Sequence, residues 1–150
     1  MEAHSRLAAA NVMHGMILGA GVAGLCTALA LRQRGTKLAL YEAAPEYRAV
    51  GAGLVLSLNG TAVLQRLGLL EEAVTQGCVL ERMQFTDAQL QPISENLVGH
   101  FSWRSGLPFL AMHRNRLLNL LWRQVADQVH FNHPYTDLEL NPEGARVRFA

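Results

Sequence analysis

The chain has 150 residues, half of them hydrophobic and 17% charged, with a formal net charge of +1; this is enough apolar material for one core and argues against a disordered chain. No long basic run is present, so there is no electrostatic case for nucleic acid or an anionic membrane surface, and a small molecule is the expected partner. Cys26 and Cys78 stand far apart with no C-x-x-C, which speaks against a disulfide scaffold or a zinc site and makes a reducing cytoplasm the default.

Residues Met1–Asn11 show no period and read as an N-terminal extension to a domain over 12–150. Val12–Leu18 predicts a short buried strand, interrupted by His14 and Gly15. Ala23–Arg34 predicts a helix, apolar at Leu25, Ala28, Leu29 and Leu31 and closed by basic residues and Gly35. Lys37–Glu42 predicts a second strand ending on an acid, which makes strand, glycine turn, helix and strand a βαβ unit. The run Val12–Leu31 has no formally charged residue and is long enough for a bilayer span or a signal-peptide core. Four glycines and a histidine interrupt it, and Arg32, Arg34 and Gly35 follow with no small-residue cleavage site, so no membrane span is expected.

Beyond Glu42 the chain reads as a loop to Gly53, with Pro45 and a second glycine cluster at Gly51-Ala52-Gly53. Asn59–Arg66 and Leu69–Gln76 predict short helices separated by Gly68. Leu80–Thr86 and Gln89–Val98 predict strands with a turn near Asp87 and Ala88. A short strand at Phe109–Met112 leads into an amphipathic helix over Asn115–Gln128. Val129–Phe131, Thr136–Leu140 and Ala145–Phe149 are the last candidate strands, the final pair joined by the turn Asn141-Pro142-Glu143-Gly144.

Residues 17–25, ILGAGVAGL, space three glycines as G-x-G-x-x-G. In a dinucleotide-binding βαβ unit Gly19 permits the tight turn off the strand, Gly21 lets backbone approach a pyrophosphate, and Gly24 lets helix and strand pack closely. The helix start offers unpaired N–H groups and a partial positive charge to the diphosphate. Glu42 ends the second strand, where its carboxylate can accept ribose hydroxyls and would repel a 2′-phosphate. FAD or NAD is therefore favoured over NADP at this site. The alternative is that these are turn and packing glycines, with Glu42 a solvated strand end.

Several other groups fit no chemistry. His130 and His133 lie in strand-like surroundings beside Pro134 with no third ligand, so no metal site is expected. Asn59-Gly60-Thr61 is a glycosylation sequon without other signs of secretion, and Ser57, Ser102 and Ser105 lack the context of a nucleophile elbow. Trp103 and Trp122 read as core or loop aromatics.

From Gly19 to Ala73 the chain resembles the N-terminal part of FAD-dependent, class A flavoprotein monooxygenases of the salicylate and para-hydroxybenzoate hydroxylase kind. The matching stretches are the glycine turn, Gly51-Ala52-Gly53 before the apolar Leu54–Leu56, Asn59 opening a helix, and Leu67-Gly68-Leu69. Leu58 stands where the family usually has proline. A second block, FLAMHRNRLLNLL, is similar to the family's H-R-x-x-L stretch, which makes Arg114 the expected FAD-contacting arginine. Arg116 replaces a frequent aspartate there and reads as a solvated helix face. Arg48 stands where relatives often carry a basic residue that meets the cofactor, and it reads equally as a surface arginine. Gly51 and Gly53 either allow close approach near the flavin or shape a bend.

The resemblance implies an α/β, Rossmann-like FAD-binding fold with additional mixed strands, incomplete at its C-terminus. It implies FAD as cofactor, NAD(P)H as co-substrate, and oxygen transfer from O₂ to an aromatic or related small molecule. The cofactor-binding residues are then Gly19, Gly21, Gly24, Glu42, Arg48, Gly53 and Arg114, and no catalytic residue is assigned. Relatives carry later D-G and G-D blocks and a substrate-binding sheet that this sequence does not contain. It is accordingly expected to bind FAD weakly by itself and to have no turnover. A stand-alone NAD-binding module and a non-catalytic fragment with exposed sheet edges are the rival readings.

Overall fold

The computed structural model describes residues 14–48, 51–142 and 144–150. The expected extension over 1–11, the expected strand's Val12 and Met13, and Glu143 of the expected last turn lie outside the described residues. In chain order the elements are β1 (His14–Leu18), α1 (Val22–Arg32), β2 (Lys37–Tyr41), β3 (Gly53–Leu56), α2 (Leu58–Arg66), α3 (Leu70–Gln76), β4 (Cys78–Val79) and β5 (Met83–Thr86). β6 (Pro92–Asn96), α4 (Val98–Ser105), β7 (Leu110–His113), α5 (Arg114–Trp122), a 3₁₀ turn (Ala126–Gln128), β8 (Val129–His130), β9 (Tyr135–Asn141) and β10 (Gly144–Phe149) follow.

The expected βαβ unit forms. β1 runs parallel to β2, with His14 opposite Lys37 and Leu18 opposite Tyr41. α1 buries Leu25, Ala28 and Leu29, the spacing of one helical face. β8 joins the far side of β2, also parallel, to give the order β1-β2-β8. A second, antiparallel sheet has the order β3-β7-β4, while β5-β6 and β9-β10 are separate hairpins.

α5 joins the two sheets. It packs against α1 on one side and against α3 and β7 on the other, so Leu117, Leu118, Leu120 and Leu121 are all buried. These leucines share one hydrophobic cluster with Leu25 and Leu29 of α1, Leu40 of β2, and Leu110 and Met112 of β7. A helix flanked on both sides needs a wider apolar face than a surface helix. The paired leucines of RNRLLNLLW supply it.

Among the described residues four departures from the sequence reading exceed two residues. The helix expected over Asn115–Gln128 ends at Trp122. The N–H groups of Gln124 and Val125 turn back to Leu121 and Trp122, Arg32 of α1 donates to the Gln124 carbonyl, and Val125 is fully buried, so tertiary contacts draw the chain out of the helix. The strand expected over Gln89–Val98 shrinks to β6. Asp87 Oδ1 accepts the N–H groups of Gln89 at 2.9 Å and Gln91 at 2.7 Å, which commits 87–91 to the turn. The strand expected over Leu80–Thr86 begins at Met83, and the two-residue β4 before it pairs with β7. Val98, expected to end the strand over Gln89–Val98, instead opens helix α4, which continues through 99–105 where the sequence reading assigned no element.

Candidate functional site

Gly19 leaves β1 with φ +98°, a left-handed backbone that glycine adopts without a Cβ penalty. Its N–H donates to the Tyr41 carbonyl at 2.7 Å, so the turn is tied to the end of β2. The next amide, of Ala20, donates to Glu42 Oε2 at 2.6 Å, and the Ala44 amide donates to Oε1 at 2.9 Å. Glu42 thus clasps the glycine turn from one side and its own following loop from the other. A carboxylate has about four acceptor positions, so it retains capacity for further donors.

Gly24 and Gly21 do different work. A Cβ at Gly24 would overlap the Gly19 carbonyl oxygen, stand 3.1 Å from its carbon and 3.4 Å from Ile17 Cγ2; glycine there is what brings α1 down onto β1. A Cβ at Gly21 would meet nothing within 4 Å. Gly21 is the N-cap of α1, gives no side-chain cap, and no acid follows in the first turn. The first amides and the positive end of α1 are consequently left open to an anion.

That helix start faces a cavity of about 270 Å³ whose lining includes Gly21, Glu42, Arg48 and Arg114. Residues from four separate stretches of sequence therefore meet in one place. Arg114, the first residue of α5, donates its N–H to the Ala52 carbonyl at 3.0 Å. Gly51 has φ +142°, and a Cβ there would come within 2.9 Å of Arg114 Cδ. The second glycine cluster is thus shaped to the Arg114 side chain through Gly51.

The loop between Glu42 and Arg48 is held by Tyr47, which sequence reasoning did not single out. Its ring stacks on Trp122 of α5, with centroids 4.5 Å apart and planes at 14°, and its hydroxyl donates to Asn119 Oδ1 at 3.0 Å. Burial pushes the Tyr47 phenol above its usual range, and the nearby Arg114 charge draws it partly back. Trp122 in turn lies against Phe131, at 5.5 Å between centroids. No spacing in the sequence signals this pairing, because the partners sit on a loop and a helix far apart in the chain.

The remaining site candidates lie elsewhere. Gly19 borders a neighbouring hollow of about 260 Å³, which shares Glu42 and includes Tyr41, His133 and Tyr135. His130 and His133 both pack on Tyr41, at 5.1 Å each; among the described residues no group of three His, Cys, Asp or Glu is arranged to hold a metal. Gly53 opens β3 and lines a separate cleft of about 550 Å³ with Cys78, His113 and Arg116. Arg116 is exposed, as its helix position suggests, yet Nη1 donates to the Gln76 carbonyl at 2.6 Å, which fixes it at the rim of that cleft. No helix among the described residues is long and apolar enough to cross a membrane.

Residues 17–48 match the NAD(P)-binding Rossmann-like domain family. Over 138 residues the chain is 34% identical to the 3-amino-4-hydroxybenzoate 2-monooxygenase of Streptomyces cremeus, covering 89% of this chain and 34% of that protein. It is 40% identical over 72 residues to the FAD-dependent urate hydroxylase of Mycolicibacterium vanbaalenii, covering 48% of this chain and 18% of the relative. The fold superposes on Klebsiella pneumoniae HpxO, solved with FAD and uric acid, with a TM-score of 0.80 and 27% identity over 91% of this chain and 35% of that one. The chain spans about a third of the length of the first of these relatives and of the solved structure.

Proposed function

We propose that this chain, which belongs to the class A FAD-dependent flavoprotein monooxygenases, is the portion that holds the ADP half of FAD in an enzyme that oxygenates an aromatic or related small molecule. The observation that carries this is the cavity that joins the uncapped start of α1, Glu42 and Arg114. The chemistry there suits a dinucleotide: amides and a helix start for the diphosphate, a carboxylate for ribose hydroxyls, and guanidinium groups for anionic oxygens.

In this reading Gly19 turns the chain, Gly21 admits the diphosphate to the backbone, and Gly24 seats α1. Glu42 accepts the ribose hydroxyls of the adenosine while keeping the Ala20 and Ala44 amides in place. Arg114 and Arg48 reach the diphosphate or flavin-ribose oxygens. Gly53, on the separate cleft, lets the flavin side approach β3. Bound FAD would supply the redox chemistry, taking electrons from NAD(P)H and handing an oxygen atom from O₂ to the substrate. The relatives' names point to electron-rich rings such as an aminohydroxybenzoate, and uric acid accompanies FAD in HpxO. Two free thiols, Cys26 and Cys78, suit a reducing cytoplasm.

Titrating the purified protein with FAD and following flavin fluorescence tests this. Weak, saturable binding that Arg114→Met reduces further, with no NADPH oxidation, is the expected result. Tight stoichiometric binding with NADPH oxidation would show that the chain does more than hold part of the cofactor. The family match at 17–48 favours one other reading, an NAD module; tighter binding of NAD than of FAD, with Arg114→Met silent, would establish it.

A further inference from the structure

We propose that Glu46 sets the cavity's affinity for anions by holding Arg48 as an internal counter-ion, so that a bound diphosphate must take Arg48 away from it. The proposal rests on reading the cavity as a diphosphate site. Glu46 and Arg48 flank Tyr47, and all three line the cavity. Because Tyr47 is clamped on Trp122 and Asn119, the backbone carrying both charges is anchored between them. Glu46 Oε1 accepts from Arg48 Nε at 2.9 Å and pairs with Nη2 at 2.8 Å. One carboxylate oxygen thereby engages two of the donors with which Arg48 would grip a phosphate.

The charge count sharpens the point. Glu42, Glu46, Arg48 and Arg114 are the formally charged residues of the cavity lining, and their charges cancel. Glu42 is committed to the Ala20 and Ala44 amides, whereas Glu46 is engaged with Arg48. Glu46 is thus the acid whose removal would release Arg48 to an anion without disturbing the glycine turn. The pair is exposed, with 69% and 62% of the two side chains accessible, so it is weak enough to be exchanged and its effect is modest and screened by salt.

The test measures ADP binding by calorimetry to the wild-type protein, Glu46→Gln, Arg48→Met and the double variant, at low and high salt. Glu46→Gln is expected to tighten ADP about two- to fivefold at low salt, with the gain shrinking at high salt and largely vanishing in the Arg48→Met background. Unchanged or weaker binding by Glu46→Gln overturns the proposal. A gain of undiminished size in the Arg48→Met background overturns it too, because Glu46 would then act by direct repulsion. If wild type binds ADP and Glu46→Gln makes no difference, only this proposal fails; if no variant binds ADP, the diphosphate reading fails with it.

Discussion

Gly24→Ala and Gly21→Ala are expected to separate folding from binding. At Gly24 the new methyl would overlap the Gly19 carbonyl oxygen and stand 3.1 Å from its carbon, so that carbonyl must move by about 1 Å or more to regain ordinary contact distance. The same peptide unit carries the Ala20 N–H that donates to Glu42. Moving the carbonyl therefore pulls on that bond. Overpacking costs about 1–3 kcal/mol and loss of a hydrogen bond to a charged group about 1.5–3 kcal/mol, against about 1 kcal/mol gained from helix propensity. The net is a loss of about 1.5–5 kcal/mol, which at a urea m-value near 2 kcal/mol/M lowers the midpoint by about 0.8–2.5 M. Gly21→Ala has open space and φ −75°, so its midpoint should move by less than about 0.5 kcal/mol worth of urea. Its methyl instead projects at the helix start where the diphosphate would lie, and nucleotide binding should fall at least tenfold. Urea unfolding followed by circular dichroism, together with ADP calorimetry, reads both quantities. A Gly24→Ala protein with an unshifted midpoint, or a Gly21→Ala protein that is the less stable of the two, would refute this division of labour.

Other perturbations address the surrounding contacts. Glu42→Ala removes the acceptor of two amides and should cost about 2 kcal/mol, a fall of about 4–8 °C in melting temperature by calorimetry; an unshifted melt would mean the clasp does not form. Tyr47 keeps its proton in the folded state because burial raises its pKa, while the unfolded chain ionises near pH 10. The Tyr47 contribution to stability should therefore be constant below that pH and decline as pH rises above it, and Tyr47→Phe should make the decline above about pH 10 shallower in urea melts taken across that range. Cys78 is exposed, whereas Cys26 is partly buried with its thiol pKa pushed up by burial. Iodoacetamide at pH 8 should label Cys78 well before Cys26 by peptide mass spectrometry, and the reverse order would contradict the packing of α1.

Much of the site is legible in the sequence because its parts are local. Gly19, Gly21 and Gly24 sit within one strand-turn-helix, and Glu42 ends the very next strand, so backbone geometry and chain connectivity alone bring the acid to the turn. Arg114 is reachable from the sequence through its resemblance to a known stretch, not through any periodicity. Gly53 shows the limit of that route: it borders a different cleft from the residues grouped with it, because β3 runs into the second sheet.

Composition and pattern by themselves point to a βαβ unit that carries a glycine turn and ends on the acid Glu42. Only the tertiary structure decides what stands opposite that turn. Leucines on α5 pack it between α1 and the second sheet with α3, and Tyr47 stacks on its Trp122. Arg114 and the 43–48 loop are thereby carried to the start of α1. Hydrophobic packing is non-directional and acts between residues distant in sequence, so which helix end it delivers to the glycine turn cannot be read from either segment alone.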